Sequence, residues 1–258
     1  MRRFLIYILL FSTCGLFGDE KYPERILSLS AAATHILTEL GQPPAAIDEY
    51  GKIAAGKHPP PVIGKGSAIS QEKIAELKID CAILWYYQRG AEKMLKNKGL
   101  RVEMIAAPRL ENYPDLIMRL GKLTGKTKRA EKLRADFKAG LKTLKTADEK
   151  PLRVYFELYS EWKGAGSESY VGDLLKAAGG CSIIKKTGLI SAETVIEKLP
   201  EVIFYIEGFT DAEKIASRPG FASIPAVKNR RIYPIKRRLV TEGLAPLEAV
   251  KYLKSLMR

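Results

Sequence analysis

One pattern occurs twice in the chain, in copies separated by roughly half its length. In the first copy, Ile69-Ser70-Gln71-Glu72 leads into Lys73-Ile74-Ala75-Glu76-Leu77 and then the apolar run Cys81-Ala82-Ile83-Leu84-Trp85. In the second, Ile190-Ser191-Ala192-Glu193 leads into Thr194-Val195-Ile196-Glu197-Lys198 and then Val202-Ile203-Phe204-Tyr205. Each reads as a capped helix followed at once by a buried strand. Ser70 and Ser191 can accept hydrogen bonds from first-turn N–H groups that have no partner inside the helix. Glu72 and Glu193 place negative charge at the positive helix end. Two copies so far apart do not form a solenoid. They predict two similar lobes, and the boundary between lobes is a favoured place for a small molecule.

The segments around the copies alternate strand and helix. In the first lobe, Arg25 to Leu29 reads as a strand, Ser30 to Ala33 as a turn, and Thr34 to Leu40 as a helix stopped by Gly41. Ala45 to Tyr50 is an expected second strand, Gly51 to Pro61 a loop, and Arg101 to Ile105 a strand after the first copy. In the second lobe, Arg153 to Leu158 is a strand, Tyr159 to Ser167 a loop, and Tyr170 to Ala178 a helix ending at Gly179-Gly180. Arg231 to Ile235 and Pro246 to Leu256 close the chain as strand and helix. This order implies parallel pairing and an α/β fold. Between the lobes, Leu116, Ile117, Leu120, Leu123, Ala130, Leu133, Phe137, Leu141 and Leu144 recur near a helical period. A continuous helix of about thirty residues would span about 45 Å, with Thr124-Gly125 as its weak point. The expected division is an export signal over 1–18, an N-terminal lobe over 23–110, a connecting helix over 111–148 and a C-terminal lobe over 149–258.

With 46% hydrophobic and 28% charged residues, the 258-residue chain is globular rather than disordered. Its formal net charge is +14. The cations are spread along helical stretches such as Lys122 to Lys150, interleaved with Glu131, Asp136 and Asp148. That is a solvated helix face, so nucleic acid is not the expected partner. A positive field does raise the local concentration of anionic ligands and favours acidic membrane surfaces. At the N-terminus, Met1-Arg2-Arg3 precedes the apolar run Phe4 to Phe11 and then Ser12-Thr13-Cys14-Gly15. This is an export signal, too short to span a bilayer. Its ending at a cysteine resembles a bacterial lipoprotein signal, which implies lipidation at Cys14, although Phe11 and Thr13 depart from the usual residues. Of the remaining cysteines, Cys81 opens a strand and Cys181 follows two glycines. Both read as small buried residues without a disulfide, and there is no zinc spacing.

Nucleotide and hydrolase motifs are incomplete. Gly125-Lys126-Thr127 imitates the end of a phosphate-binding loop, but Leu120 stands where its first glycine is required. Gly64-Lys65-Gly66 lacks the third glycine of a dinucleotide fingerprint, with Ile69 in its place. No Gly-x-Ser-x-Gly elbow occurs.

Five weaker signatures in order resemble the exported solute-binding proteins of ABC importers for vitamin B12, haem and ferric siderophores. They are Arg25 to Ser30 with Ala33-Thr34; Glu72 to Asp80; Leu120-Gly121 with Thr124-Gly125 and Ala130-Glu131; Leu174-Leu175 through Gly179-Gly180; and Ile224-Pro225-Ala226-Val227 through Tyr233. The resemblance covers nearly the whole mature chain. It implies two Rossmann-like lobes with central parallel sheets, joined by one long α-helix, with the ligand in the cleft between them. It also implies a periplasmic or envelope-facing monomer, without a cofactor of its own, that hands an iron complex or cobalamin to a permease and its ATPase. One exposed acid per lobe docks onto the permease in that family, which assigns Glu72 and Glu193. His35 departs from the family, which often has an acidic residue there. A small-oxyanion binder of molybdate type, and an exported two-lobed enzyme, are the rival readings.

Ligand residues are expected in loops at the carboxyl ends of parallel strands. That rule nominates Ser30, Ala31, Tyr50, Lys65, Tyr86, Tyr87, Arg89, Arg109, Tyr159, Trp162, Phe209 and Arg238. Aromatic rings suit a macrocycle or catechol, and Arg offers paired donors to carboxylates. His35 and His58 are the only histidines, and either is an axial-ligand candidate for iron or cobalt.

Overall fold

A computed structural model describes residues 21–144 and 150–258. The expected signal, with Cys14, lies outside the described residues, as does the end of the expected connector.

The first lobe is a four-stranded parallel sheet. Its strands are β1 (Ile26–Ser28), β2 (Ala46–Ile47), β5 (Cys81–Trp85) and β6 (Arg101–Ile105), in the order β2-β1-β5-β6. A small antiparallel hairpin, β3 (Gly64–Lys65) and β4 (Ala68–Ile69), precedes β5. Helices α1 (Ala31–Glu39), α2 (Gln71–Glu76) and α3 (Arg89–Asn97) complete the lobe. Side chains alternate across the strands as the pleat requires. Ile26, Cys81 and Ile83 face the main core, while Leu27, Ala82 and Leu84 pack with Ile74 and Leu95 on the other side. α1 starts at Ala31, earlier than the sequence suggests. Ser30 caps it by accepting from the Ala33 N–H at 3.2 Å, and Ser28 and Thr34 join in a buried hydroxyl cluster. β2 is shorter than expected, because Asp48 caps a 3-10 turn over Glu49–Ala54 and takes the chain out of the sheet.

The second lobe is built on β7 (Leu152–Glu157), β11 (Val202–Ile206) and β12 (Ile232–Ile235), all parallel. β8 (Lys163–Gly164), β9 (Gly180–Ser182) and β10 (Gly188–Leu189) extend the sheet beyond β7. Helices α6 (Tyr170–Ala178), α7 (Ala192–Lys198), α8 (Ala212–Ala216), α9 (Pro225–Lys228), α10 (Arg237–Val240) and α11 (Pro246–Met257) surround it. The sequence repeat is a structural one. β5 and β11 are the strands following α2 and α7, and each lies between two parallel neighbours in its own sheet. Both helices carry the expected caps, with Ser70 accepting from Lys73 N–H and Ser191 from Thr194 N–H, each at 3.2 Å.

The connector differs from the expectation of one helix over 111–148. It comprises α4 (Tyr113–Leu123) and α5 (Thr127–Leu144), and Gly125 at φ +68° turns the chain between them. In a continuous helix Tyr113 and Phe137 would lie about 36 Å apart. Their rings are 4.9 Å apart instead, so α5 runs back along α4. α4 packs on α1, and α5 packs on α6 and α11. α5 is therefore the long helix that joins the lobes. One apolar cluster runs beneath both sheets, from Ile36 and Ile83 through Tyr113, Ile117 and Phe137 to Phe156, Leu174 and Phe204. Each such buried side chain contributes about 1.5–3 kcal/mol. Cys81 is buried within this core, which pushes its thiol up to about 12. Cys181, expected to be buried, is exposed on β9.

Candidate functional site

The second sheet is mixed, with β8 and β10 antiparallel, and the carboxyl ends of the parallel strands of both sheets open onto one cleft of about 900 Å³. On the N-terminal side, the segment after β2 is organised by Asp48. Its buried carboxylate accepts from the Gly51 N–H at 2.9 Å and the Gly66 N–H at 3.1 Å. These bonds fix Tyr50 in its 3-10 turn and hold the β3–β4 hairpin, so that Lys65 lies 5.8 Å from the Tyr50 ring centre. Burial raises the Asp48 carboxyl, and the two amides act against that rise. After β5, the Gln88 side chain accepts from the Trp85 N–H at 2.9 Å and tightens the turn that presents Tyr87. The Trp85 and Tyr87 rings lie nearly parallel with centres 6.5 Å apart.

The opposite wall comes from the second lobe. Tyr159 follows β7 and meets Phe209 edge-on at 5.7 Å. The Arg237 guanidinium lies 5.5 Å from the Tyr159 ring centre, close enough for a cation–π attraction. Lys163 and Glu242 complete this side. Glu242 is exposed where it lines the cleft, and partial loss of hydration raises its carboxyl above the usual range. The Tyr87 phenol is raised by desolvation first and by the Glu242 charge second. The floor includes the start of α6. There Ser169 caps the Gly172 N–H at 3.1 Å, and the buried Tyr170 hydroxyl has no partner among the described residues.

Of the residues nominated from sequence, Ala31, Tyr50, Lys65, Tyr87 and Tyr159 line this cleft. The others are placed elsewhere. Ser30 is spent on the α1 cap. Tyr86 turns outward and supports Tyr87 edge-on, and Phe209 supports Tyr159 in the same way. Arg89 pairs with Glu92 at 2.9 Å, and Arg238 grips Glu248 through two bonds of 2.7 and 2.8 Å. Trp162 packs edge-on against Phe221 and beneath Arg218. Arg109 bridges the lobes, donating twice to Asp173 on α6 at 2.5 Å and once to the Glu168 carbonyl at 2.8 Å. His35 sits on α1 near Glu39, Arg238 and Glu248, with desolvation lowering its affinity for a proton. His58 is exposed in a loop, and neither histidine lines the cleft. Among the described residues, no group of three or more His, Cys, Asp or Glu side chains could hold a metal.

Asp48, Lys163, Arg237 and Glu242 were not anticipated. Arg237 stands immediately after the last strand's loop residue Lys236, and the carboxyl-end rule could have found it. α10 begins at Arg237, so one residue's rotation of about 100° sends Arg238 to a different face. Glu242 carries no local signal. Glu72 and Glu193 are exposed in the first turns of α2 and α7. The Glu193 carboxyl is lowered by its own backbone N–H and by Ser191. Among the described residues, no helix is long and apolar enough to cross a membrane.

Comparison with known proteins gives a consistent picture. A family model described as "Periplasmic binding protein" matches residues 26–239. The iron-uptake system-binding protein of Bacillus subtilis is 29% identical over 206 residues, 71% of this chain and 63% of that protein. The chain thus spans less than two thirds of that relative. A substrate-binding lipoprotein of an ABC transporter from the same organism, YvrC, is 25% identical over 91% of this chain and 80% of its own. Among solved structures, the periplasmic haem-binding protein RhuT of Roseiflexus, in apo form, superposes with a TM-score of 0.78. It is 23% identical and matched over 90% of this chain and 97% of that one.

Proposed function

The chain belongs to the periplasmic binding protein family, and from that premise we propose that it captures an anionic metal chelate for an ABC importer. The observation that carries this reading is the make-up of the cleft. Lys65 and Lys163 and Arg237 stand on its two walls without a carboxylate partner among the described residues, facing Glu242 as the one unengaged acid. Asp48 is spent on backbone amides, and Glu49 pairs with Lys52 at 2.9 Å. The charge balance favours an anion. Tyr50, Tyr87 and Tyr159 add flat aromatic surface on both sides, suited to a catecholate or a porphyrin. Among the described residues no histidine or cysteine lines the cleft, which suits a ligand whose iron is already held by its own chelator. A small oxyanion would leave most of about 900 Å³ unfilled.

The iron-uptake and haem-binding relatives support the ligand class, and the lipoprotein relative supports an envelope location with an anchor at Cys14. Glu72 and Glu193, one per lobe, are the proposed contacts to the permease. Import is powered by the permease's ATPase.

Titration of the purified mature protein with a ferric catecholate, haemin, cyanocobalamin and molybdate tests the ligand. Quenching of aromatic emission is expected with one of the first two at micromolar or lower concentration. Tyr87→Ala and Arg237→Ala should each weaken it about tenfold, the loss of roughly 1.4 kcal/mol from a cleft anchor. Binding of molybdate alone would refute the chelate reading. In cells, combined Glu72→Arg and Glu193→Arg should stop uptake and leave affinity unchanged; weakened affinity would remove them from the docking role.

A further inference from the structure

Glu157 ends β7 and is 1% exposed, yet its carboxylate is met by four donors. Arg218 donates through Nη1 at 2.7 Å and through Nη2 at 2.8 Å. The Tyr155 hydroxyl donates at 2.8 Å and the Trp162 N–H at 3.3 Å. Arg218 is itself buried, its guanidinium carbon 4.3 Å from the Trp162 ring centre and 5.7 Å from that of Phe221. Its Nε has no partner among the described residues. Trp162 has φ +62°, a left-handed conformation that is strained for a bulky side chain. Between Glu157 and Trp162 the chain makes a tight turn, with Leu158 N–H donating to the Lys163 carbonyl at 2.8 Å and Lys163 N–H to Ser160 at 3.1 Å. That turn carries Tyr159 and Lys163 into the cleft.

A buried ion pair is a weak stabilising device, because removing two charges from water costs about as much as their attraction returns. What a forked Arg–carboxylate pair does supply is fixed geometry. Here every element of that geometry converges on one turn. We propose that Arg218 is a positioning residue for ligand capture. Through Glu157 and Trp162 it holds the backbone at Trp162 in its left-handed conformation, and so sets the direction in which Tyr159 and Lys163 enter the cleft. Arg218 does not line the cleft and touches no ligand there. The inference rests on the cleft being the ligand site.

The test uses Glu157→Gln combined with Arg218→Met, which removes both charges and leaves neither one buried alone. Far-ultraviolet circular dichroism and melting temperature are expected to stay near those of the wild type. In a Trp85→Phe background, Trp162 emission should shift to the red and become accessible to acrylamide. With Trp85 intact, affinity for haemin or a ferric catecholate should fall about tenfold. Adding Tyr159→Ala should then cost little more, because both changes remove the same wall. Unaltered affinity, or additive losses, would overturn the proposal. Should the wild type bind neither probe, the ligand reading fails separately, and unchanged Trp162 emission would still refute the positioning role.

Discussion

Partial burial in the cleft opposes the ionisation of Glu242. Its folded-state pKa is raised by loss of hydration. The stability tied to its neutral form is complete below the unfolded value and is lost as pH rises through the folded one. Glu242→Gln removes that penalty. The variant should melt higher than the wild type at pH 7 and alongside it at pH 4, as scanning calorimetry at the two pH values will show. Asp48 shifts in the same direction but is present in both proteins and cancels. Affinity for an anionic chelate should rise in the same variant at pH 7. At this scale the sequence was legible where a residue's role follows from its neighbours. Ser70 and Ser191 cap helices they visibly precede, and Tyr50, Tyr87 and Tyr159 follow strands. Trp162 and Arg109 were not legible as structural residues. Their partners Arg218 and Asp173 are more than fifty positions away, and no local spacing reveals them.

The connector shows why periodicity reads a helix's face but not its direction. Leu116, Leu120 and Leu123 on α4 keep near-helical spacing with Ala130, Leu133 and Phe137 on α5, so the stripe runs straight through the turn at Gly125. The turn was visible only as a possible weakness. What permits the fold-back is a close approach. A Cβ placed on Gly121 would stand 2.2 Å from the Ala130 Cβ. Gly121→Ala should therefore overpack the junction and destabilise by about 1–3 kcal/mol. Introducing Ala130→Gly into the same protein should recover part of the loss. Urea unfolding of the two single variants and the pair measures this, and no recovery would show that the two helices are not in contact there.

The two-lobed plan was legible because the repeat places a central strand in each sheet, and the order of elements dictates parallel pairing. How the lobes are held was not. Arg109 on Asp173 and the Tyr113 hydroxyl on the Gly243 carbonyl at 3.0 Å link the lobes. The apolar cluster under both sheets goes further. The largest buried cluster is shared by the two halves, so neither half should have an independent melting transition. Calorimetric and van 't Hoff enthalpies should coincide in one endotherm. A gene cut after the first lobe should yield an insoluble fragment, although its four strands are hydrogen-bonded to one another. A protein built this way is not expected to come apart into two working pieces.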